Sequence, residues 1–174
     1  MPTVDLEIAS VVSENFVVGA IRLQDDDGTL AQAINTQVAL LELDDLPAAA
    51  DTVTSAQIFV EGGVHAGKSI AAMDLKLLDS SGTMLVEEAI NVSTTILTTV
   101  HNTAVFTSTS AGGFTPSMVN DMRLQVKHAG NVAGTPTLQM DYAFVRIVYE
   151  EALAPPIRLD SGLVKLTSGL IRIS

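Results

Sequence analysis

The segment that most limits what this chain can fold into covers residues 137–150 and reads T-L-Q-M-D-Y-A-F-V-R-I-V-Y-E. It contains no Gly or Pro and is rich in β-branched and aromatic residues, which favours a strand over a helix. One alternating set of its side chains is Leu138, Met140, Tyr142, Phe144 and Val148, and the other is Ala143, Val145, Ile147 and Tyr149. Because both sets are mainly apolar, the segment predicts a long central strand with both faces covered by protein.

Shorter segments with a two-residue period precede this strand. Thr115 and Pro116 also predict one short helical turn, with the threonine as N-cap and the proline at the first helical position. We therefore predict an all-β protein, an antiparallel jelly-roll-like β-sandwich of about eight to nine strands. The further predicted strands cover residues 3–9, 16–23, 37–43, 55–61, 73–77, 84–92, 103–109 and 122–127.

The chain changes character after residue 153. Ala154-Pro155-Pro156 is a stiff linker, and a seven-residue pattern recurs beyond it over residues 157–174. The glycine in each full repeat argues against a coiled coil, whereas short strands joined by Ser-Gly turns fit the pattern. We therefore divide the chain into a sandwich body, residues 1–153, and a Pro-linked C-terminal β arm, residues 154–174. Residues 1–36 are either part of the sandwich or a separate strand or arm.

The arm is the segment that we expect to bind another subunit. It is too short to bury a core of its own. Residues 1–156 carry 6 basic and 19 acidic residues, a charge of -13, whereas residues 157–174 carry 3 and 1, a charge of +2. We expect a homo-oligomer, with a trimer as the favoured state. The predicted partner-binding residues are the arm's recurring apolar and basic positions: Arg158, Leu159, Leu163, Lys165, Leu166, Leu170, Arg172 and Ile173.

Composition excludes several classes of site. The chain has no cysteine, so it holds neither disulfides nor thiolate metal sites. Its net charge of -11 repels a phosphate backbone, so we expect no nucleic-acid partner. No segment approaches the ~20 apolar residues that span a bilayer, and residues 1–7, M-P-T-V-D-L-E, lack the basic region and apolar run of a leader, so we expect no membrane partner either.

Two motifs raise the question of a bound ligand. Residues 62–69 read G-G-V-H-A-G-K-S, the pattern of a phosphate-binding loop, but such a loop needs a helix directly after Ser69 where the alternation indicates a strand.

Asp25, Asp26 and Asp27 before Gly28 form either a solvated turn or the start of a calcium loop. The calcium loop needs a glutamate six residues after the glycine, where Ile34 stands. We therefore expect a turn and no metal or cofactor.

No set of residues indicates catalysis. His65, His101 and His128 are isolated from one another and from carboxylates at ligand spacing, and there is no G-x-S-x-G turn. The prediction is a protein that is not an enzyme and has no catalytic residues. Carbohydrate binding, which uses exposed aromatic rings, has little support in a chain with no Trp and two Tyr.

The order of motifs over residues 43–150 resembles jelly-roll sandwich domains of tailed-bacteriophage structural proteins. The motifs are L-x-D-L-P, T-S-A-Q-I-F-V-E, M-D-L-K-L-L-D-S-S-G-T, F-T-P-S-M-V-N-D-M-R-L-Q-V-K and the closing D-Y-x-x-V-x-I-x-Y strand. The resemblance implies a capsid decoration or cement protein, or a head–tail accessory subunit. Such a protein is made in the host cytoplasm, is located in the virion and binds the major capsid protein or another virion protein. The alternatives are a receptor- or carbohydrate-binding module of a tail fibre and a nucleotide-binding protein.

Overall fold

The computed structural model describes residues 1–34, 36–65, 71–110, 112–129 and 137–152, and the backbone of residues 163–166 and 169–172. These residues form strands, one α-helix (α1, Pro116–Asn120) and one 3-10 helix (Ala20–Leu23). The strands are β1 (Thr3–Leu6), β2 (Ile8–Glu14), β3 (Ala31–Ala33), β4 (Val38–Leu43), β5 (Ala50–Val64), β6 (Ala71–Leu78), β7 (Met84–Val92), β8 (Val100–Asn102), β9 (Arg123–His128), β10 (Leu138–Glu151), β11 (Leu163–Leu166) and β12 (Gly169–Arg172).

The body consists of two five-stranded antiparallel sheets. The first has the order β1-β10-β5-β8, with β3 also paired to β10, and the second has the order β2-β4-β9-β6-β7. The eight body strands other than β2 and β3 can be numbered 1 to 8 along the chain. In this numbering the first sheet has the order 1-8-3-6 and the second sheet has the order 2-7-4-5. This is the pairing of a jelly roll. The predicted all-β, antiparallel sandwich is confirmed.

The core lies between the two sheets. In β9, and in β6 as far as Leu77, the side chains alternate between buried and half-buried positions, so each strand turns one row towards the other sheet. The fully buried residues include Leu75 and Leu124 of the second sheet and Ile58, Val145 and Ile147 of the first sheet. Burying these rows supplies the main driving force for folding of the sandwich.

The central strand β10 contains a β-bulge that the sequence pattern did not predict. The register with β5 shifts between Met140, opposite Gly62, and Tyr142, opposite Glu61. Asp141 is therefore an extra residue, and the alternation of faces restarts after it. The core face consists of Leu138, Met140, Ala143, Val145, Ile147 and Tyr149, while Tyr142, Phe144, Arg146 and Val148 are half-buried on the outer face. In the part of the chain that the structure describes, the prediction that both faces are covered holds for the core face and is only half met on the outer face.

Three of the shorter predicted strands also need correction. Residues 3–9 form two strands in different sheets, because the chain crosses the sandwich at Glu7. Residues 16–23 form a single bridge at Val18 and then the 3-10 helix. Residues 103–109 contribute only a bridge between Phe106 and Ala56, and β8 precedes them.

The predicted helical turn is confirmed at α1. The Thr115 hydroxyl accepts a hydrogen bond from the amide of Met118 at 3.2 Å, and Pro116 is the first helical residue. Among the residues described, no helix is long and apolar enough to cross a membrane.

Candidate functional site

The predicted arm contains an antiparallel pair of short strands, β11 and β12. Leu163 lies opposite Arg172, and Lys165 lies opposite Leu170. Within the described backbone, β11 and β12 pair with each other and with neither sheet of the body. The pairing brings together the predicted partner-binding residues Leu163, Lys165, Leu166, Leu170 and Arg172, whereas Arg158, Leu159 and Ile173 lie outside the described residues.

The glycines of the G-x-x-x-x-G-K-S motif begin inside a strand. Gly62 and Gly63 belong to β5, and β6 begins at Ala71 where a phosphate-binding loop requires a helix. A Cβ on Gly62 would collide with the carbonyl oxygen of Gln139, and one on Gly63 would lie 2.9 Å from that of Thr94. These glycines therefore permit close packing of backbone on backbone. The second half of the motif, residues 66–69, is not described.

Three carboxylates from separate parts of the chain meet at the bulge of β10. Asp26, Glu61 and Asp141 each place an oxygen within 4.8 Å of the other two. Glu61 is on β5 and lies opposite Tyr142, next to the extra residue Asp141. We call these three residues the acidic cluster. Its exposure decreases from the exposed Asp26 through the half-buried Glu61 to Asp141, which is only 6% exposed.

The loop that carries Asp26 is positioned by the edge of β10. On that edge β3 pairs with residues 138–140 and β1 with residues 145–148, so residues 141–144 are left between these two partners. The amide of Gly28 donates a hydrogen bond to Oδ2 of Asp141 at 3.0 Å. Asp27 stiffens the same loop, because its Oδ1 accepts from the amide and the hydroxyl of Thr29 at 2.8 and 2.5 Å. The bulge and the loop together bring the acidic cluster into one place.

Burial and mutual repulsion act on the acidic cluster. Burial raises the pKa of Asp141, the hydrogen bond from Gly28 lowers it in part, and the charges of Asp26 and Asp27 raise it further. Burial also raises the pKa of Glu61, and the charges of Asp26 and Asp141 add to this increase. Among the described residues, none makes a hydrogen bond to the buried Oδ1 of Asp141. The arrangement can accept a positive charge.

A second group of side chains covers the outer face of the first sheet. Phe59 and Phe144 are cross-strand partners whose rings stack at 4.8 Å with an angle of 4° between their planes. The Tyr142 ring lies 5.3 Å from that of Phe144, and the Arg146 guanidinium lies 4.8 Å from the Phe59 ring centre. Arg146 also makes two hydrogen bonds of 2.7 Å to Asp5. We call Asp5, Phe59, Tyr142, Phe144 and Arg146 the outer-face cluster.

Sequence reasoning considered Asp26 but not its two partners. The signal for Asp141 was an aspartate in the middle of a long apolar strand, a position that is rarely occupied without a local reason. Glu61 gave no such signal, because it ends a predicted strand at an ordinary polar position. The residue spacing of a calcium loop detects only ligands that follow one another in one continuous loop. The acidic cluster takes its carboxylates from one loop and two strands, so that spacing could not detect it.

Comparisons with known proteins place the chain in no family. No family model matches it, and no curated protein matches it either. One similar solved structure is the CBM32 of AlyQ in complex with 4,5-unsaturated mannuronic acid, with 17% identity, a TM-score of 0.42, and coverage of 84% of this chain and 99% of that chain.

Two further structures are similar over parts of larger chains. An arabinose-bound MgGH51 α-L-arabinofuranosidase has 12% identity, a TM-score of 0.39, and coverage of 82% of this chain and 26% of that chain. A structure of infectious bursal disease virus, Gt strain, has 10% identity, a TM-score of 0.36, and coverage of 85% and 33%. At these identities and TM-scores the likenesses assign no function to the chain.

Proposed function

We propose that the chain is a non-enzymatic bacteriophage virion protein, a capsid decoration or head–tail accessory subunit that binds neighbouring subunits through its C-terminal arm. The observation that carries the proposal is the pairing of β11 with β12 alone in the described backbone. A two-stranded sheet is marginally stable in water, and its outer strand edges accept further strands. A neighbouring subunit would complete this small sheet.

The charge of the arm supports the same role. Arg158, Lys165 and Arg172 recur at one position of the repeat, and the body has a charge of -13 over residues 1–156. Opposite charges on two surfaces speed their association and select the partner. The acceptor is the major capsid protein, another virion protein, or a further copy of this chain in a trimer.

Truncation after Ala154 tests this role. We expect the truncated chain to keep its far-ultraviolet strand spectrum, because the core lies between the two body sheets. Sedimentation velocity at physiological salt should show the loss of the oligomer, or of binding to purified particles. Full assembly by the truncated chain contradicts the proposal.

A single charge reversal provides the matched comparison in an untruncated chain. Lys165→Glu should weaken assembly, and the effect should shrink as salt screens the charges. Arg22→Glu makes the same change at an exposed position of the body and should leave assembly unchanged. Equal effects of the two variants would show that net charge, rather than the arm, governs assembly.

A receptor- or carbohydrate-binding module of a tail fibre is the second candidate function. The outer-face cluster favours it, because aromatic rings beside polar groups are the usual elements of a sugar site. However, the flat faces of Phe59 and Phe144 are turned towards each other, which leaves less ring surface for a sugar. Glycan binding that is lost in Tyr142→Ala and kept after truncation at Ala154 would favour this candidate over the first.

A further inference from the structure

We propose that Asp26, Glu61 and Asp141 bind a calcium ion, which ties the loop of residues 25–28 to β5 and β10. The three carboxylates come from a loop and two paired strands, and their oxygens lie within 4.8 Å of one another. Clustered carboxylate oxygens are the ligands that hard divalent cations prefer. The site is distinct from the arm and does not depend on the proposed assembly role.

The buried carboxylate of Asp141 is a second and independent indication of a ligand. The residue is 6% exposed, and its Oδ1 is buried without a hydrogen-bond partner in the described structure. Leaving a charged oxygen both dehydrated and unpaired is costly, and buried charges are normally paired or coordinate metals. The amide of Gly28 already occupies Oδ2 of Asp141 and orients the carboxylate. A cation at the acidic cluster would supply the missing partner of Oδ1.

The ligand set favours calcium over other cations. Calcium binds oxygens at about 2.3–2.6 Å, so two oxygens on one ion are at most about 5 Å apart, and the three oxygens, which lie within 4.8 Å of one another, meet this limit. Magnesium demands a near-ideal octahedron and usually keeps several waters with only one or two carboxylates, whereas the acidic cluster offers three carboxylates. Zinc and copper prefer nitrogen and sulfur ligands, which the acidic cluster lacks. Water and backbone carbonyls would complete the six to eight calcium ligands.

The surroundings of the acidic cluster are consistent with a bound cation. The neighbouring charges that shift the pKa of Glu61 and Asp141 are all those of other aspartates, and they raise both values. Like charges at this spacing repel one another across the loop and the two strands. A calcium ion would convert this repulsion into attraction and fix the loop next to residues 141–144, where β10 lies between its partners β1 and β3.

The test is thermal unfolding of the full chain after EDTA treatment and dialysis, with added CaCl2 or MgCl2. At a calcium concentration of about one hundred times Kd, we expect Tm to increase by about 5–10 °C for a chain of this size. Titration calorimetry with CaCl2 should show one ion per chain. The increase with MgCl2 should be smaller at the same concentration, and an equal increase would overturn the assignment to calcium.

Two variants locate the effect, and a third controls for charge. Asp26→Ala and Glu61→Gln should each lose most of the calcium-dependent increase in Tm, because each removes a charged ligand. Asp25→Ala makes the same charge change as Asp26→Ala one residue away in the same loop, outside the acidic cluster, and should keep the increase.

The behaviour in EDTA separates loss of binding from loss of folding. Without calcium, Asp26→Ala and Glu61→Gln should unfold at or above the wild-type Tm, since each removes repulsion from the acidic cluster. The proposal is overturned if the wild-type chain shows neither a Tm increase nor heat with CaCl2. It is also overturned if both variants keep the full increase.

Discussion

At Gly62, β5 approaches β10 so closely that no side chain fits between the two backbones. A Cβ added there would meet the carbonyl oxygen of Gln139, which cannot move without breaking the strand pairing. The glycine that began a phosphate-binding pattern in the sequence is thereby explained by packing alone.

Gly62→Ala should therefore destabilise the fold, and this effect should not depend on any bound nucleotide. We expect the free energy of unfolding in urea to decrease by about 1–3 kcal/mol, as for other overpacked sites. Gly113→Ala is the matched control, because nothing lies within 4 Å of its Cβ position, and it should change the free energy by at most about 0.5 kcal/mol. Equal effects of the two substitutions would contradict the packing argument.

Asp141 is the residue at which sequence reasoning about β10 failed. A bulge shifts every later side chain to the opposite face, and here both resulting sets are mainly apolar, so the pattern could not reveal the shift. The acidic cluster was missed for the same reason, since only the register of β5 and β10 brings Glu61 next to Asp141.

Among the strands, β10 allows a direct test of the bulge, because the bulge decides which of its side chains face the core. An unbroken strand would put Leu138 and Tyr142 on one face, but the structure buries Leu138 in the core and leaves Tyr142 half-exposed. Leu138→Ala should reduce the free energy of unfolding by about 2–5 kcal/mol, the usual cost of a large cavity in a core.

Tyr142→Ala provides the comparison for Leu138→Ala. It removes a larger side chain, but one on the outer face, and we expect a cost of about 1 kcal/mol from its lost ring contact with Phe144. Urea unfolding of both variants measures the difference. A Tyr142→Ala cost equal to or above that of Leu138→Ala would contradict the bulge.

How well the sequence predicted an element depended on how that element is buried. β4 and β9 alternate throughout and β6 alternates as far as Leu77, all three are paired on both edges, and their positions were predicted closely. Residues 16–23 are as apolar as a strand, but Val17 is 57% and Ile21 50% exposed. The buried residues of the 3-10 helix, Ala20 and Leu23, are three apart, which is a helical spacing. Hydrophobicity alone did not distinguish these apolar residues from a buried strand.

At the scale of the whole molecule, the two candidate sites have different places and different roles. The acidic cluster lies on the first sheet of the body and would stabilise the sandwich itself. The arm pairs outside both sheets in the described backbone and carries the opposite charge from the body. Loss of calcium binding should therefore lower Tm, whereas loss of the arm should reduce assembly and leave the strand content of the body unchanged.

The role proposed for this chain is that of a virion subunit joined to its neighbours by the arm. A cryo-electron microscopy map of purified particles that carry the chain tests this most directly. We expect a jelly-roll body on the particle surface or at the head–tail junction, with density for residues 157–174 against a neighbouring subunit. Absence of the chain from the particles, or an arm that contacts only its own body, would overturn the proposed role.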